Sequence, residues 1–180
     1  MNRRDVSAAL LASVGLAACQ SDSARSLIGL QLPVVKGHFT DGSVFDLSLS
    51  PQPAIMRFWG MWCAPCMIDM PNWLSLIRRL RVGEDALPDI NILTIHVGLA
   101  PANGPSLLQW VSEQKPDVAT PVVDDATNAI MKTVGIKGTP STLYIDNQGR
   151  IGEHAWQFKN EHGVSNFIRK VRHLHAKAKP

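Results

Sequence analysis

Two cysteines stand three positions apart in the stretch Trp62-Cys63-Ala64-Pro65-Cys66. They follow a strand-like apolar run, Ala54 to Trp59, and open a segment with helical periodicity. At that spacing both sulfurs lie on one helical face, close enough to bond to each other. Cys63 falls at the helix N-terminus. There the unpaired backbone N–H groups and the positive end of the helix dipole favour a thiolate over a thiol. A thiolate is the attacking species in disulfide exchange. Cys66, one turn deeper, is placed to resolve a mixed disulfide. The local chemistry is that of a dithiol cycling between reduced and oxidised forms. Zinc sites use the same spacing. However, zinc takes four protein ligands in structural sites and three in catalytic ones. The chain has no second C-x-x-C and no His pair at ligand spacing near this one.

The longer string Phe58-Trp59-Gly60-Met61-Trp62-Cys63-Ala64-Pro65-Cys66, followed by Asp69-Met70-Pro71, resembles the thioredoxin superfamily and in particular its TlpA-like branch of extracytoplasmic thiol–disulfide proteins. A second motif, Gly138-Thr139-Pro140 before the apolar run Ser141 to Asp146, resembles the cis-proline loop of that superfamily. On this resemblance Pro140 is cis and lies against Cys63. Proline donates no ladder hydrogen bond, which leaves the Thr139 backbone free to pair with an extended substrate chain. Trp62, Gly138 and Thr139 are the expected substrate-binding residues, with Pro140 in the catalytic set. The alternative for Pro140 is an ordinary strand-start proline.

Two positions depart from the family pattern. TlpA-like reductases carry Glu three residues after the second cysteine, thought to assist proton transfer; here it is Asp69. A carboxylate in that place would take the proton from the Cys66 thiol. The bland alternative is an exposed acid favoured by the helix dipole. Arg57 occupies a strand position where thioredoxins proper resemble one another in placing a buried Asp, and where TlpA-like proteins often have Asn. Long Arg side chains usually reach water, so the solvent-facing reading is preferred. The other reading has Arg57 raising the positive potential near the cysteines. His96, near the end of the strand-like run Asp89 to Val97, is expected to be structural, with a catalytic role as the alternative.

The rest of the chain must position these residues. It has 180 residues, enough for one domain with a core and an appendage. Its net charge of +3 gives no argument for nucleic acid. Residues 1–18 have signal-peptide architecture: a basic start at Arg3 and Arg4, then small and apolar residues to Ala18. Leu16-Ala17-Ala18-Cys19 resembles a bacterial lipobox, which implies a lipidated Cys19; a plain secretory signal is the alternative. The Arg pair also permits twin-arginine export, weakened by Asp5 and Ser7. Residues 19–31 read as the lipidated cysteine and a flexible tether, and residues 32–180 as the domain. With Cys19 lipidated, Cys63 and Cys66 remain as an even pair.

Within the domain the pattern predicts a hairpin over 32–49 around Asp41-Gly42, then a strand over 54–59. A helix over 64–81 follows, kinked at Pro71. Next come a strand over 89–97, a helix over 106–114 and a strand over 120–123. A helix capped by Asp124 or Asp125 ends at Gly135. After the proline loop and its strand, Asn147-Gln148-Gly149 turns the chain into a strand over 150–158. The last helix, about 160–176, has the apolar stripe Val164, Phe167, Ile168, Val171 and Leu174. Its other face is basic and is expected to be solvated, with contact to anionic lipid as the alternative. The expected fold is a thioredoxin-like α/β fold: a central mixed sheet flanked by helices, with an N-terminal β-hairpin extension.

The expectation is an extracytoplasmic thiol–disulfide oxidoreductase, periplasmic or on the outer face of a bacterial membrane and anchored by lipid at Cys19. It needs no cofactor beyond the redox-active Cys63–Cys66 disulfide. The resemblance implies reduction of target proteins, such as apocytochrome c or a copper-site assembly protein. An oxidising compartment keeps a dithiol oxidised unless something reduces it, so a reductase needs a reducing partner; the resemblance implies that this partner is a membrane electron donor. Disulfide oxidase or isomerase activity stays open, because Ala64-Pro65 does not set the redox poise. A Cu(I)-binding module is the alternative of another class. Met61, Met67 and Met70 surround the cysteines, and sulfur suits that ion; packing is the simpler use of these methionines. A thiol peroxidase is disfavoured by Gly60, where that family has Thr.

Overall fold

The computed structural model describes residues 26–46, 52–100, 102–113 and 120–178. Residues 1–18 and Cys19 lie outside the described residues, as do the last two residues, Lys179 and Pro180.

Strand β3 (Ala54–Trp59) is buried along its whole length and forms the middle of a five-stranded sheet ordered β5-β4-β3-β6-β7. Its side chains alternate between two covered faces. Met56 and Phe58 join the core on one side, and Ile55 joins the core on the other. Helix α1 (Ala64–Arg81) carries the chain to β4 (Asn91–Val97), which pairs parallel to β3. Helix α2 (Leu107–Ser112) precedes β5 (Val122–Asp125), parallel to β4. Helix α3 (Ala129–Val134) leads to β6 (Ser141–Ile145), antiparallel to β3, and then to β7 (Ile151–Ala155), antiparallel to β6. Helix α4 (Glu161–Ala178) closes the domain.

Two layers cover the sheet. Trp73, Leu76 and Ile77 of α1 pack with Phe167, Ile168 and Val171 of α4 over Ile55 and Tyr144. Ile130 and Val134 of α3 pack with Val35 and Phe45 over Met56, Phe58 and Ile95 on the other side. Val35 and Phe45 belong to the N-terminal hairpin region, β1 (Lys36–His38) and β2 (Val44–Asp46). Its turn is held by Asp41, whose Oδ1 accepts from Ser43 N and Ser43 Oγ, with Gly42 at φ 84°. The architecture is thioredoxin-like with an N-terminal hairpin, as the pattern and the resemblance implied.

Boundaries differ from expectation in three places. The chain joins the domain before residue 32: Gly29 N donates to Ile151 O and Leu32 N to Gly149 O, so the end of the expected tether lies against β7. Unpaired edges recruit neighbouring backbone, and this segment supplies one. Asp124 and Asp125 are strand residues, not helix-start residues. Asp125 nonetheless caps α3 across the turn, accepting from Ile130 N and Met131 N at 3.2 and 2.9 Å. The strand expected over 150–158 ends at Ala155. By contrast α1 spans the expected residues, with Pro65 in its first turn and Pro71 inside it. In α4 the expected apolar stripe is buried or part-buried, and His175 is buried with it beside Asp89.

Candidate active site

The sheet delivers β3 to a turn, Gly60 to Cys63, and the turn delivers the cysteines to α1. Cys63 is the N-cap of that helix. Its Sγ is bonded to Cys66 Sγ at 2.07 Å, with the Cα atoms 5.2 Å apart. Cys66 N, the amide that would face a thiolate after reduction, lies 3.2 Å from Cys63 Sγ. The first-turn amides and the helix dipole therefore converge on the Cys63 sulfur. Cys66 is fully buried.

The turn has little freedom. Cys63 N donates to Gly60 O at 3.0 Å. Trp62 Nε1 donates to Val97 O at 2.8 Å, and Met61 N donates to His96 Nε2 at 3.2 Å. A Cβ at Gly60 would sit 2.6 Å from Trp62 Nε1, so any side chain there would collide with the indole. Trp62 itself remains 56% exposed beside the disulfide.

The Gly138-Thr139-Pro140 loop comes to the same place, with Thr139–Pro140 cis. Cys63 Sγ lies 3.6 Å from the Thr139 carbonyl oxygen. Ser141 Oγ donates to Gly138 O at 3.0 Å and stands 3.3 Å from His154 Nε2. With the hydroxyl proton directed at Gly138, His154 is the donor in that second contact. Trp156 was not singled out from the sequence. It is 51% exposed, its ring packs against His154 at 5.0 Å, and a Cβ on Gly138 would lie 3.4 Å from that ring. In the sequence it is one large aromatic inside the strand expected over 150–158. Trp62, Cys63, Gly138, Thr139, Pro140 and Trp156 thus form one rim.

Beneath the rim the structure corrects the reading of Arg57. The side chain does not reach solvent: its exposure is 0%, as is that of Asp69. Strand alternation turns Arg57 toward α1, and no open edge lies on that path. Its guanidinium lies over the Trp73 ring at 5.1 Å and the Phe158 ring at 5.8 Å. Arg57 NH2 donates to Asp69 Oδ2 at 3.1 Å, and NH1 to Thr142 Oγ1 at 3.3 Å. Burial presses the Arg57 pKa down, and the Asp69 charge opposes that shift. Asp69 is accordingly not an exposed acid. Its oxygens also accept from Asn72 Nδ2 and from the Phe158 amide, at 3.1 and 3.2 Å. Met61, Met67 and Met70 pack against the Trp59, Cys63 and Cys66 cluster. Among the described residues no group of His, Cys, Asp or Glu is arranged to hold a metal ion.

No family model matches the chain. The chain is similar to thiol-disulfide oxidoreductase ResA of Bacillus thuringiensis (strain Al Hakam), 23% identical over 152 residues, covering 84% of this chain and 82% of that protein. It is similar also to thiol:disulfide interchange protein HelX of Rhodobacter capsulatus, 26% identical over 133 residues, covering 70% and 66%. Among solved structures, a secreted Mycobacterium tuberculosis disulfide oxidoreductase homologous to E. coli DsbE superposes with a TM-score of 0.58 at 17% identity, covering 77% of this chain and 95% of that one. The fold and the bonded cysteines at a helix N-terminus define a thioredoxin-like disulfide oxidoreductase. The relatives it resembles in sequence are likewise named as thiol–disulfide oxidoreductases or interchange proteins.

Proposed function

We propose that this protein reduces disulfides in target proteins outside the cytoplasm, held to a bacterial membrane through lipid at Cys19. The observation that carries the reading is the Cys63–Cys66 pair at the start of α1, with Cys63 Sγ 3.6 Å from the Thr139 carbonyl of the cis-proline loop. An extended target chain lying along Thr139 brings its own disulfide to Cys63. In the reduced protein the Cys63 thiolate attacks one target sulfur, forming a mixed disulfide and expelling the other target sulfur as a thiolate. Cys66 then passes its proton to the Asp69 carboxylate, one helical turn away, and attacks Cys63 Sγ. The Cys63–Cys66 bond forms, the target's second thiolate leaves, and two electrons have passed to the target. A membrane electron donor restores the dithiol.

Trp62, Gly138 and Thr139 hold the target in this reading, and Pro140 keeps the loop in place. Asp69 acts as a carboxylate held by Arg57, Asn72 and Phe158, one helical turn from Cys66. The TlpA-like resemblance supplies the target class, apocytochrome c or a copper-site assembly protein. It also supports the extracytoplasmic location, and the sequence of residues 16–19 supports the lipid.

The test is a Cys66→Ser variant expressed in its native host, where covalent complexes with target proteins are expected on non-reducing gels. Recovery of none would end the exchange mechanism. The direction is tested by the reduction potential of the pair. A value near −270 mV, roughly that of thioredoxin, fits a reductase, and one near roughly −120 mV makes the protein an oxidant.

A further inference from the structure

His96 sits on β4 directly opposite Trp59, the residue that leads β3 into the active-site turn. It is 1% exposed, and its ring meets Trp59 edge-on at 5.2 Å. Its Nε2 receives the Met61 amide at 3.2 Å. A backbone amide is always a donor, so the bond fixes the tautomer: Nε2 is bare and the ring proton resides on Nδ1. The next residue of β4, Val97, receives the Trp62 indole N–H. Two consecutive strand residues therefore pin two consecutive turn residues, immediately before Cys63.

We propose that His96 is a positioning residue of the dithiol site. It holds the turn that presents Trp62 and Cys63, through a hydrogen bond that only the neutral imidazole can accept. The inference rests on the reading of Trp62 and Thr139 as target-binding residues. A proton on Nε2 turns an acceptor into a second donor facing the Met61 amide, and the turn loses one of its two pins. Trp62 and the Cys63 sulfur then lose their setting against Thr139. Engagement of a polypeptide target is expected to suffer, while attack on a small disulfide that needs no docking is spared.

The surroundings suit this role. Asp124, on the neighbouring strand β5, faces Nδ1 with Oδ1 at 3.9 Å and is half-exposed. From β3 the neighbour is the uncharged Trp59 ring, and from the turn the Met61 amide. Asp124 is the charged group facing the ring among the described residues. Burial pushes the His96 pKa below 6.5, and Asp124 offsets part of that. His96 is neutral at neutral pH and gains its proton only as the pH falls further.

The experiment uses the full-length protein. The nitrogen-15 shifts of its histidines at neutral pH are expected to show His96 with a bare Nε2 and a protonated Nδ1. A protonated Nε2 overturns the proposal without any variant. With a small dithiol reductant as the electron source and its direct background rate subtracted, reduction of insulin, a polypeptide disulfide, and of oxidised glutathione, a small one, is then followed from pH 8 to about pH 5 in wild type, His96→Gln and His96→Leu. His96→Leu is expected to raise KM for insulin about five-fold, the worth of one lost hydrogen bond, with little change for glutathione. His96→Gln, whose amide oxygen can accept the Met61 N–H without titrating, is expected to restore KM and to flatten the acid fall in insulin reduction. His154 titrates in all three proteins, so it cancels in the comparison. Equal KM and equal pH profiles in wild type and His96→Leu overturn the proposal. Wild-type protein that reduces neither substrate overturns the functional reading itself, and the nitrogen-15 shifts still decide the His96–Met61 bond.

Discussion

The two cysteines of one disulfide live in unlike surroundings. Around Cys63 the neighbours are a helix N-terminus, a cis-proline loop and the half-exposed indole of Trp62, with the half-exposed Trp156 packed against that loop at Gly138. Toward Cys66 the ground is the interior of α1 and the central strand, with Arg57 and Asp69 paired out of reach of water. The rim is built from strand ends and turns, where backbone and aromatic faces are available to a partner. The floor is built from the middle of regular elements, where a buried polar group is costly unless it is paired inside the protein. On the proposed function, a change at the rim is expected to alter target binding, and a change at the floor to alter stability.

The sharpest test of that division is at the sulfurs. Cys63→Ala is expected to abolish disulfide exchange with all substrates while the domain stays folded by circular dichroism; residual exchange would move the attacking role to Cys66. At the floor, Arg57→Met or Asp69→Asn leaves a buried polar partner uncompensated and is expected to cost roughly 3–5 kcal/mol in urea unfolding. The double variant Arg57→Met with Asp69→Leu should recover only part of that loss, because the Phe158 amide and Asn72 also lose their acceptor. Single variants costing under about 1 kcal/mol would erase the contrast between floor and rim. At the rim, Trp156→Ala is expected to leave stability within about 0.5 kcal/mol of wild type, as for surface changes, and to raise KM for a polypeptide disulfide. A large loss of stability would make Trp156 part of the core instead.

The smallest expected effect is on pH dependence. Burial holds the pKa of His96 and of His154 below 6.5. A lowered folded pKa means that the unfolded chain binds the proton more readily. Stability is therefore full above about pH 6.5 and falls as the pH drops from there through the folded pKa values. Urea midpoints at pH 7.5 and pH 5 should show the fall, and His96→Gln should reduce it. A midpoint that rises on acidification would contradict the burial of these rings as neutral groups.

Much of the site was legible because its signals are short. The Cys-x-x-Cys spacing, the apolar run before it and Pro65 in the first turn place the dithiol at a strand–helix junction, and α1 spans the residues expected. Gly138-Thr139-Pro140 before an apolar strand marked the loop that meets Cys63. The buried stripe of α4 followed from helical periodicity alone. Arg57 misled because the rule that long cations reach water is a statement about averages. Nothing within a few residues of Arg57 reveals that α1 and β7's outgoing chain will enclose it. Trp156 gave only an isolated aromatic, and the pairing of Gly29 to Leu32 with residues 149–151 joins segments far apart in the chain.

The sequence by itself determined which atoms can do chemistry and how the local backbone presents them. Spacing, capping and periodicity act over one or two turns, and the chain order already contains them. Only the tertiary structure decided what those atoms face. Asp69 meets the Phe158 amide across 89 residues, Cys63 meets Thr139 across 76, and Met61 meets His96 across 35. Such partners are set by the order of strands in the sheet and by which face each helix covers. Those are outcomes of burying apolar surface over the whole domain, and no single segment specifies them.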